Sequence, residues 1–358
     1  MELINIDHRG GRYEFLLEQA YNSNISTDDV VDYIEQKRQA ILSERRAETE
    51  GLHKIIEDFG PVTCGLRNDR IDDIVKAIVR DKSIDSIEEL RSRITDDFIP
   101  RIESYILWSF YNQTTNDLIE HYFIGHQNVV PTLRKIRNID FFLRVRGTLI
   151  PFDLKITHIS EDFFDMYSQG LIPNPTEHPD AFRLAQNRNS ETRSIKAFYR
   201  VRKSRLSLPN YGSFSKKELL DALLASQDKE SIRYVKTAFE TRKAMIGDIS
   251  SDLEKLEWWN FKYQGERLFA NNNRLFLFFA YTDAFEDGRP IKGKLSIIKG
   301  AVQELLDDIE NTPIHTIRYL YEKDPALTGD YRAQALSLLI TDSKQWRNTI
   351  GRQEPGYH

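Results

Sequence analysis

The segments NIDFFLRV (138–145), RG (146–147) and TLIPFDLKIT (148–157) decide the fold. The two longer runs are rich in β-branched and aromatic residues, and the Gly-containing pair between them predicts a hairpin. With Arg146-Gly147 as a two-residue turn, Val145 faces Thr148 and Asp140 faces Asp153. Strand alternation then sets Asp140, Asp153 and Lys155 on one face, and Phe141, Leu143, Phe152, Leu154 and Ile156 on the other. Opposed Cβ atoms sit about 4.5–5.5 Å apart, where like charges destabilise the pair unless something compensates them. A divalent cation would do so, because two carboxylates and a free backbone carbonyl make a hard oxygen site suited to Mg2+. A purely structural acidic hairpin, with Lys155 as ion-pair partner, is the other reading. A three-residue loop would put the aspartates out of step by one.

Outward from the hairpin, the chain upstream carries Ile102, Tyr105, Ile106, Trp108 and Phe110, then Leu118, Ile119, Tyr122 and Phe123, which predict one or two well-buried helices. Downstream, 160–249 lacks a strong strand signal and carries Pro173, Pro175, Pro179, Pro209 and Gly212 among basic helical stretches, as an insertion would. A helix is expected over 253–269. The run RLFLFFAY (274–281) is continuously apolar and predicts a strand buried on both faces. Another core helix is expected over 295–309, and the tail from Pro313 is helical or partly strand. In the first hundred residues, Ser26 is a candidate N-cap, a second helix covers 69–79 beyond Gly60-Pro61, and a third begins after 83–86. The chain thus divides into a helical region 1–100, a core of 101–159 and 250–312, a basic insertion 160–249 and a C-terminal extension 313–358.

The pattern IDFF (139–142) then DLK (153–155), with twelve residues between the aspartates, resembles the PD-(D/E)XK nuclease superfamily, the restriction-endonuclease-like fold. Ile139 stands where the family's name puts Pro, and Pro151 precedes the second aspartate by two. The likeness covers about 104–159 and 253–281, with an extension to 308, and leaves out the N-terminal helices and the insertion. It implies an α/β core, a mixed central sheet flanked by helices. A glutamate on the helix before the hairpin often completes the family's metal site; Glu120 is the candidate, with Asp117 second. The resemblance further implies Mg2+-dependent phosphodiester hydrolysis, with Mn2+ able to substitute. Asp140, Asp153 and the Leu154 backbone carbonyl would hold the metal, and Glu120 would bind it or orient its water. Lys155 would position the attacking water and offset transition-state charge. Double-stranded DNA as substrate, a homodimer and a type II restriction or phage-defence role are the corresponding expectations. A catalytically inactive or effector-dependent DNA-binding protein and a DNA-repair nuclease are the rivals.

The composition is compatible with that reading. The 358 residues hold 50 Lys+Arg and 55 Asp+Glu, a net charge of −5, and 40% hydrophobic residues, as in ordinary globular chains of about two domains. Residues 1–100 carry 14 Lys+Arg against 22 Asp+Glu, net −8, whereas 131–246 carry 21 against 13, net +8. Within that basic region Arg188, Arg193, Lys196, Arg200, Arg202, Lys203 and Arg205 could track a phosphate backbone or form a solvated helix face. Gln186, Asn187 and Asn189 suit base edges as well as turns. Arg134, Lys135, Arg137, Arg144 and Arg146 surround the hairpin, where exposed strand charge is the alternative to phosphate contact. Trp258, Trp259, Phe261 and Tyr263 are expected in the core, and Gln264 and Arg267 on the same helix could reach the site edge. His158 is expected to be partly exposed. The single cysteine, Cys64, removes intrachain disulfides and CxxC sites. No apolar run has membrane-span length and the first residues lack a signal-peptide pattern, so a cytoplasmic protein without a membrane partner is expected. Phosphate-binding, dinucleotide-binding, nucleophile-elbow and zinc-protease motifs are missing from the sequence.

Overall fold

The computed structural model describes residues 24–59, 71–81, 83–84, 86–132, 138–172, 190–210 and 214–344. Cys64, Arg134, Lys135, Arg137, Gln186, Asn187, Arg188 and Asn189 lie outside them. Ser26 opens α1 (Thr27–Thr49) with a reciprocal capping box, its hydroxyl accepting from the Asp29 N–H while Asp29 accepts from the Ser26 N–H. Short helices α2 (Leu52–Asp58) and α3 (Ile71–Arg80) follow. Ser86 caps α4 (Ile87–Arg93), which runs through a π-helical turn at Ile94–Phe98 into α5 (Ile99–Ile124). Pro100 is tolerated because it lies in the first turn of α5. The C-terminal half of α5 buries Leu118, Ile119 and Phe123 completely.

After α5 the chain forms β1 (Val129–Pro131), β2 (Phe141–Val145) and β3 (Thr148–His158). Four helices come next: α6 (Glu161–Tyr167), α7 (Glu191–Leu206), α8 (Lys216–Ala225) and α9 (Lys229–Ser251). Then come α10 (Glu254–Gln264), β4 (Arg274–Tyr281), α11 (Leu295–Asp307), β5 (His315–Tyr321) and β6 (Gly329–Asp342). The fold is α/β, with one six-stranded mixed sheet in the order β1-β2-β3-β4-β6-β5. β2 runs antiparallel to both its neighbours, β1 and β3, while β3, β4 and β6 are parallel, and β5 closes the far edge antiparallel to β6.

Every residue of β4 is buried, as expected for a central strand covered on both faces. Leu275, Leu277 and Phe279 meet Ile119 and Phe123 of α5 and Ile298, Val302 and Leu306 of α11 on one face. Phe276 and Phe278 meet Trp258 and Phe261 of α10 and Phe163 of α6 on the other. Burying side chains of this size contributes roughly 1.5–3 kcal/mol each. The insertion has its own core of Ile195, Tyr199, Leu219, Leu223, Val235 and Phe239. Beside it, Arg242 is 1% exposed and pairs bidentately with Glu161 at 3.0 and 2.9 Å and with Glu191. Lys216 reaches Glu161 at 2.8 Å, and Asp165 and Glu191 at 2.9 Å.

Two expectations change. The helix expected to reach residue 269 stops at Gln264, because Gly265 takes φ +83° and breaks the helical path. The tail expected as a helical or partly strand extension supplies β5 and β6, and β6 lies directly against β4. Among the described residues no helix is long and apolar enough to cross a membrane.

Candidate functional site

The hairpin turn holds Arg146 at φ 50° and Gly147 at φ 73°. A two-residue hairpin turn with both central residues in this region matches the right-handed strand twist. Arg146, the less permissive residue there, is held by its N–H to both Glu310 carboxylate oxygens at 2.9 Å. Val145 pairs with Thr148 and Phe141 with Phe152. One step beyond β2, the Asp140 N–H donates to the Phe152 carbonyl at 2.9 Å, so Asp140 and Phe141 both lie against Phe152, and Asp140 is near Asp153 without the direct opposition that the hairpin count predicts. The Thr132 hydroxyl donates to the Asp140 carbonyl at 2.9 Å and fixes the strand entry.

β2 pairing ends at this point, whereas β3 continues. The Leu154 backbone therefore faces an unpaired edge, and its N–H donates to Asp140 Oδ2 at 2.7 Å. Its carbonyl projects from the same edge, since N–H and C=O of one strand residue point to the same side. Burial pushes the Asp140 carboxyl up to about 6, with the charges of Asp153 and Glu120 adding to the rise; the Leu154 N–H and Lys155 oppose it. Asp153 is 4% exposed and accepts from Lys155 Nζ at 2.8 Å. Glu120 is close enough to act on Asp140 but bonds Arg45 of α1 at 2.6 Å. Asp117 accepts instead from Gln113 of its own helix at 3.1 Å.

The fit to a divalent cation is partial by side chains alone. Among the described residues no group of three or more His, Cys, Asp or Glu side chains gathers about one point. The oxygens on offer are the Asp140 and Asp153 carboxylates, near enough for each other's charge to be felt, and the edge carbonyl of Leu154. These are hard oxygens of the kind Mg2+ takes, and Mg2+ keeps several waters in its shell. An acid held up by burial and like charge is also where a cation relieves the most electrostatic cost.

Two arginines complete the site: Arg267, expected at its edge but from a helix to which it does not belong, and Arg274, which the sequence did not single out. Arg267, three positions beyond α10 and not on it, places Nη1 on the Asp153 carboxylate. Its backbone is held by an N–H bond to Asn272 Oδ1 at 3.1 Å and by the Tyr319 hydroxyl donating to its carbonyl at 2.8 Å. Arg274, the β4 residue in register with Asp153, is fully buried with its guanidinium 4.6 Å from the Phe261 ring centroid. Burial, aided by the charge of Arg267, lowers the Arg274 pKa to about 10. Gly265 was the available signal that Arg267 leaves the helix; nothing in the sequence links either arginine to Asp153.

The basic stretch is less available than its composition suggests. Arg193 and Arg200 are exposed and Lys196 is half-buried on α7. Arg202 is drawn onto Glu230 and stacks on Phe198, Arg205 bonds Asp228 at 2.9 Å, and Lys203 bonds Asn210. Asp228 and Glu230 at the start of α9 thus neutralise two of the seven cations. Arg144 approaches Glu35 at 3.6 Å. Trp258, Trp259 and Phe261 are core residues, and Gln264 is exposed. His158 is three positions from Lys155 and so on the opposite face of β3. It lies 3.6 Å from Asp287, with burial lowering its pKa. No family model, curated protein or solved structure matches the chain.

Proposed function

We propose that the protein is a Mg2+-dependent DNA endonuclease of the restriction-endonuclease-like fold, acting at the β2–β3 hairpin. The observation that carries this reading is the neighbouring pair Asp140 and Asp153, with Lys155 on Asp153 and the Leu154 backbone on the free strand edge. The order of elements supports it: an acidic helix, α5, precedes the hairpin, and α10 leads into β4, parallel to β3.

Asp140, Asp153 and the Leu154 carbonyl would hold the cation, and Glu120, once released from Arg45, would orient a water. A bound Mg2+ supplies a lowered water pKa and a clamp on phosphate oxygens. Lys155, held at 2.8 Å from Asp153, positions the water and carries positive charge toward the developing phosphorane. The exposed Arg193 and Arg200 and the half-buried Lys196 of α7 offer phosphate contacts. A homodimer follows from a palindromic site, which two equivalent centres would cut; type II restriction is the biological role in keeping with it.

The rival is a catalytically inactive or effector-dependent DNA-binding protein, favoured by the closure of Asp153 by Lys155 and Arg267. Supercoiled plasmid and phage DNA incubated with Mg2+ decides between them, beside a chelator control and the variants Asp153→Ala and Lys155→Ala. Discrete fragments, lost with chelator and in both variants, are expected. Retained DNA binding without cleavage in the wild type would favour the rival.

A further inference from the structure

We propose that Arg267 is the phosphate-binding residue of this site: it covers Asp153 in the metal-free protein and passes to a phosphate oxygen when a divalent cation takes its place. The inference rests on the metal-dependent reading above. Arg267 belongs to the irregular segment between α10 and β4, and its main chain is tied at both ends, by Asn272 Oδ1 and by the Tyr319 hydroxyl. Its side chain is 29% exposed and, among the described residues, has one further hydrogen bond, to the Asn271 carbonyl at 3.5 Å. The guanidinium can therefore swing while its root stays fixed.

Asp153 faces three cations: Lys155 and Arg267 in contact, and Arg274 in the adjoining register position of β4. A dication held by Asp140 and Asp153 would meet the Arg267 guanidinium at contact range, where repulsion between the two is strong even in a moderately polarisable medium. Arg274 cannot give way, being fully buried beneath Phe261 with Nη2 on the Gly265 carbonyl at 2.5 Å. Arg274 Nε and Nη1 find no hydrogen-bond partner among the described residues, so the floor of the site is already rich in unanswered positive charge. Arg267 is the cation that can leave. A planar fork of N–H donors matches a phosphate, and the phosphate arrives where the dication has just been added. The same residue thus opposes metal binding in the free protein and favours DNA binding in the loaded one.

Those opposite signs provide the test. Mn2+ affinity of the full chain is measured by electron paramagnetic resonance without DNA for the wild type, Arg267→Ala, Arg267→Lys and Asp153→Ala. Affinity for a short DNA duplex is measured for the same proteins in Ca2+, and circular dichroism melting checks folding. We expect Arg267→Ala to bind Mn2+ at least 5-fold more tightly and the duplex at least 10-fold more weakly, Arg267→Lys to fall between, and Asp153→Ala to lose Mn2+. A folded Arg267→Ala protein whose Mn2+ affinity is unchanged or lower overturns the proposal, because a residue that merely orients Asp153 gives that sign. Tighter Mn2+ binding with unchanged duplex affinity also overturns it, leaving a cover without a phosphate role. Absence of Mn2+ binding by the wild type and by Arg267→Ala alike overturns the metal-dependent reading, and this inference with it.

Discussion

Two clusters of partly or fully buried carboxylates sit in this molecule, and they answer burial in opposite ways. In the insertion, Glu161, Asp165 and Glu191 enclose Arg242 and Lys216, and Asp165 also accepts the Thr192 N–H and hydroxyl. Burial alone would push Glu161 up, but Arg242 and Lys216 in contact hold it down to about 2. At the hairpin, Asp140 has a backbone N–H for company and no cation in contact among the described residues, and it stands at about 6. Burial is common to both; contact with a cation sets the sign. A satisfied cluster is a structural device, whereas an acid raised by burial beside a second acid has the electrostatic character that functional sites share.

The sharpest way to break that comparison is Arg242→Ala. Removing the shared cation leaves Glu161, Asp165 and Glu191 with Lys216 alone among them, and its packing on Phe164 and Phe285 goes with it. A loss of about 3–5 kcal/mol is expected, read from the urea midpoint at pH 7. The acid limb of the wild type belongs to the same cluster. Glu161 is depressed in the fold, so its stabilising contribution is present above the ordinary glutamate pKa and fades as pH falls toward 2. Arg242→Ala should flatten that limb, and an unchanged acid limb would disprove the role given to the network.

Asp140→Asn should act with the opposite sign and by less. A folded-state pKa near 6 means that stability is complete below the ordinary aspartate range and declines as pH rises through 6. In chelator, the Asn variant keeps an acceptor for the Leu154 N–H and is expected to gain about 1–2 kcal/mol at pH 8, a gain that disappears below pH 4. Thermal melts across that range would show it; a destabilised variant at pH 8 would mean that Asp140 is as well satisfied as Glu161. Arg205→Ala sets the lower end of the scale. Its pairing with Asp228 is at the surface, and a change below about 1 kcal/mol in the same urea experiment is expected.

The hairpin was legible because all its determinants are local. Gly147 permits the turn, alternation assigns the faces of the paired residues, and Asp153 and Lys155 share a face by counting, whereas Asp140 lies where the regular pairing ends. The strand at 274–281 was legible for a related reason: a continuously apolar octet has no solvent face to show. Arg267 was legible only as a residue that could reach the site edge; its pairing with Asp153 was not, for the two are 114 residues apart and Arg267 was read as part of a helix that Gly265 in fact ends. Nor was the partial neutralisation of the basic stretch, since Asp228 and Glu230 reach Arg202 and Arg205 only after α7 and α9 pack together. The tail was ambiguous because Ile317, Leu320 and Tyr321 suit either a helix or an edge strand until β4 supplies a neighbour for β6.

The sequence by itself determined the α/β texture, the hairpin and the shared face of Asp153 and Lys155, because turn geometry and side-chain alternation act over a few residues. The tertiary structure alone decided which of the many charges are answered. Ion pairing inside a fold depends on which helices and strands are brought together across long stretches of chain, and that proximity left Asp140 strained while it satisfied Glu161.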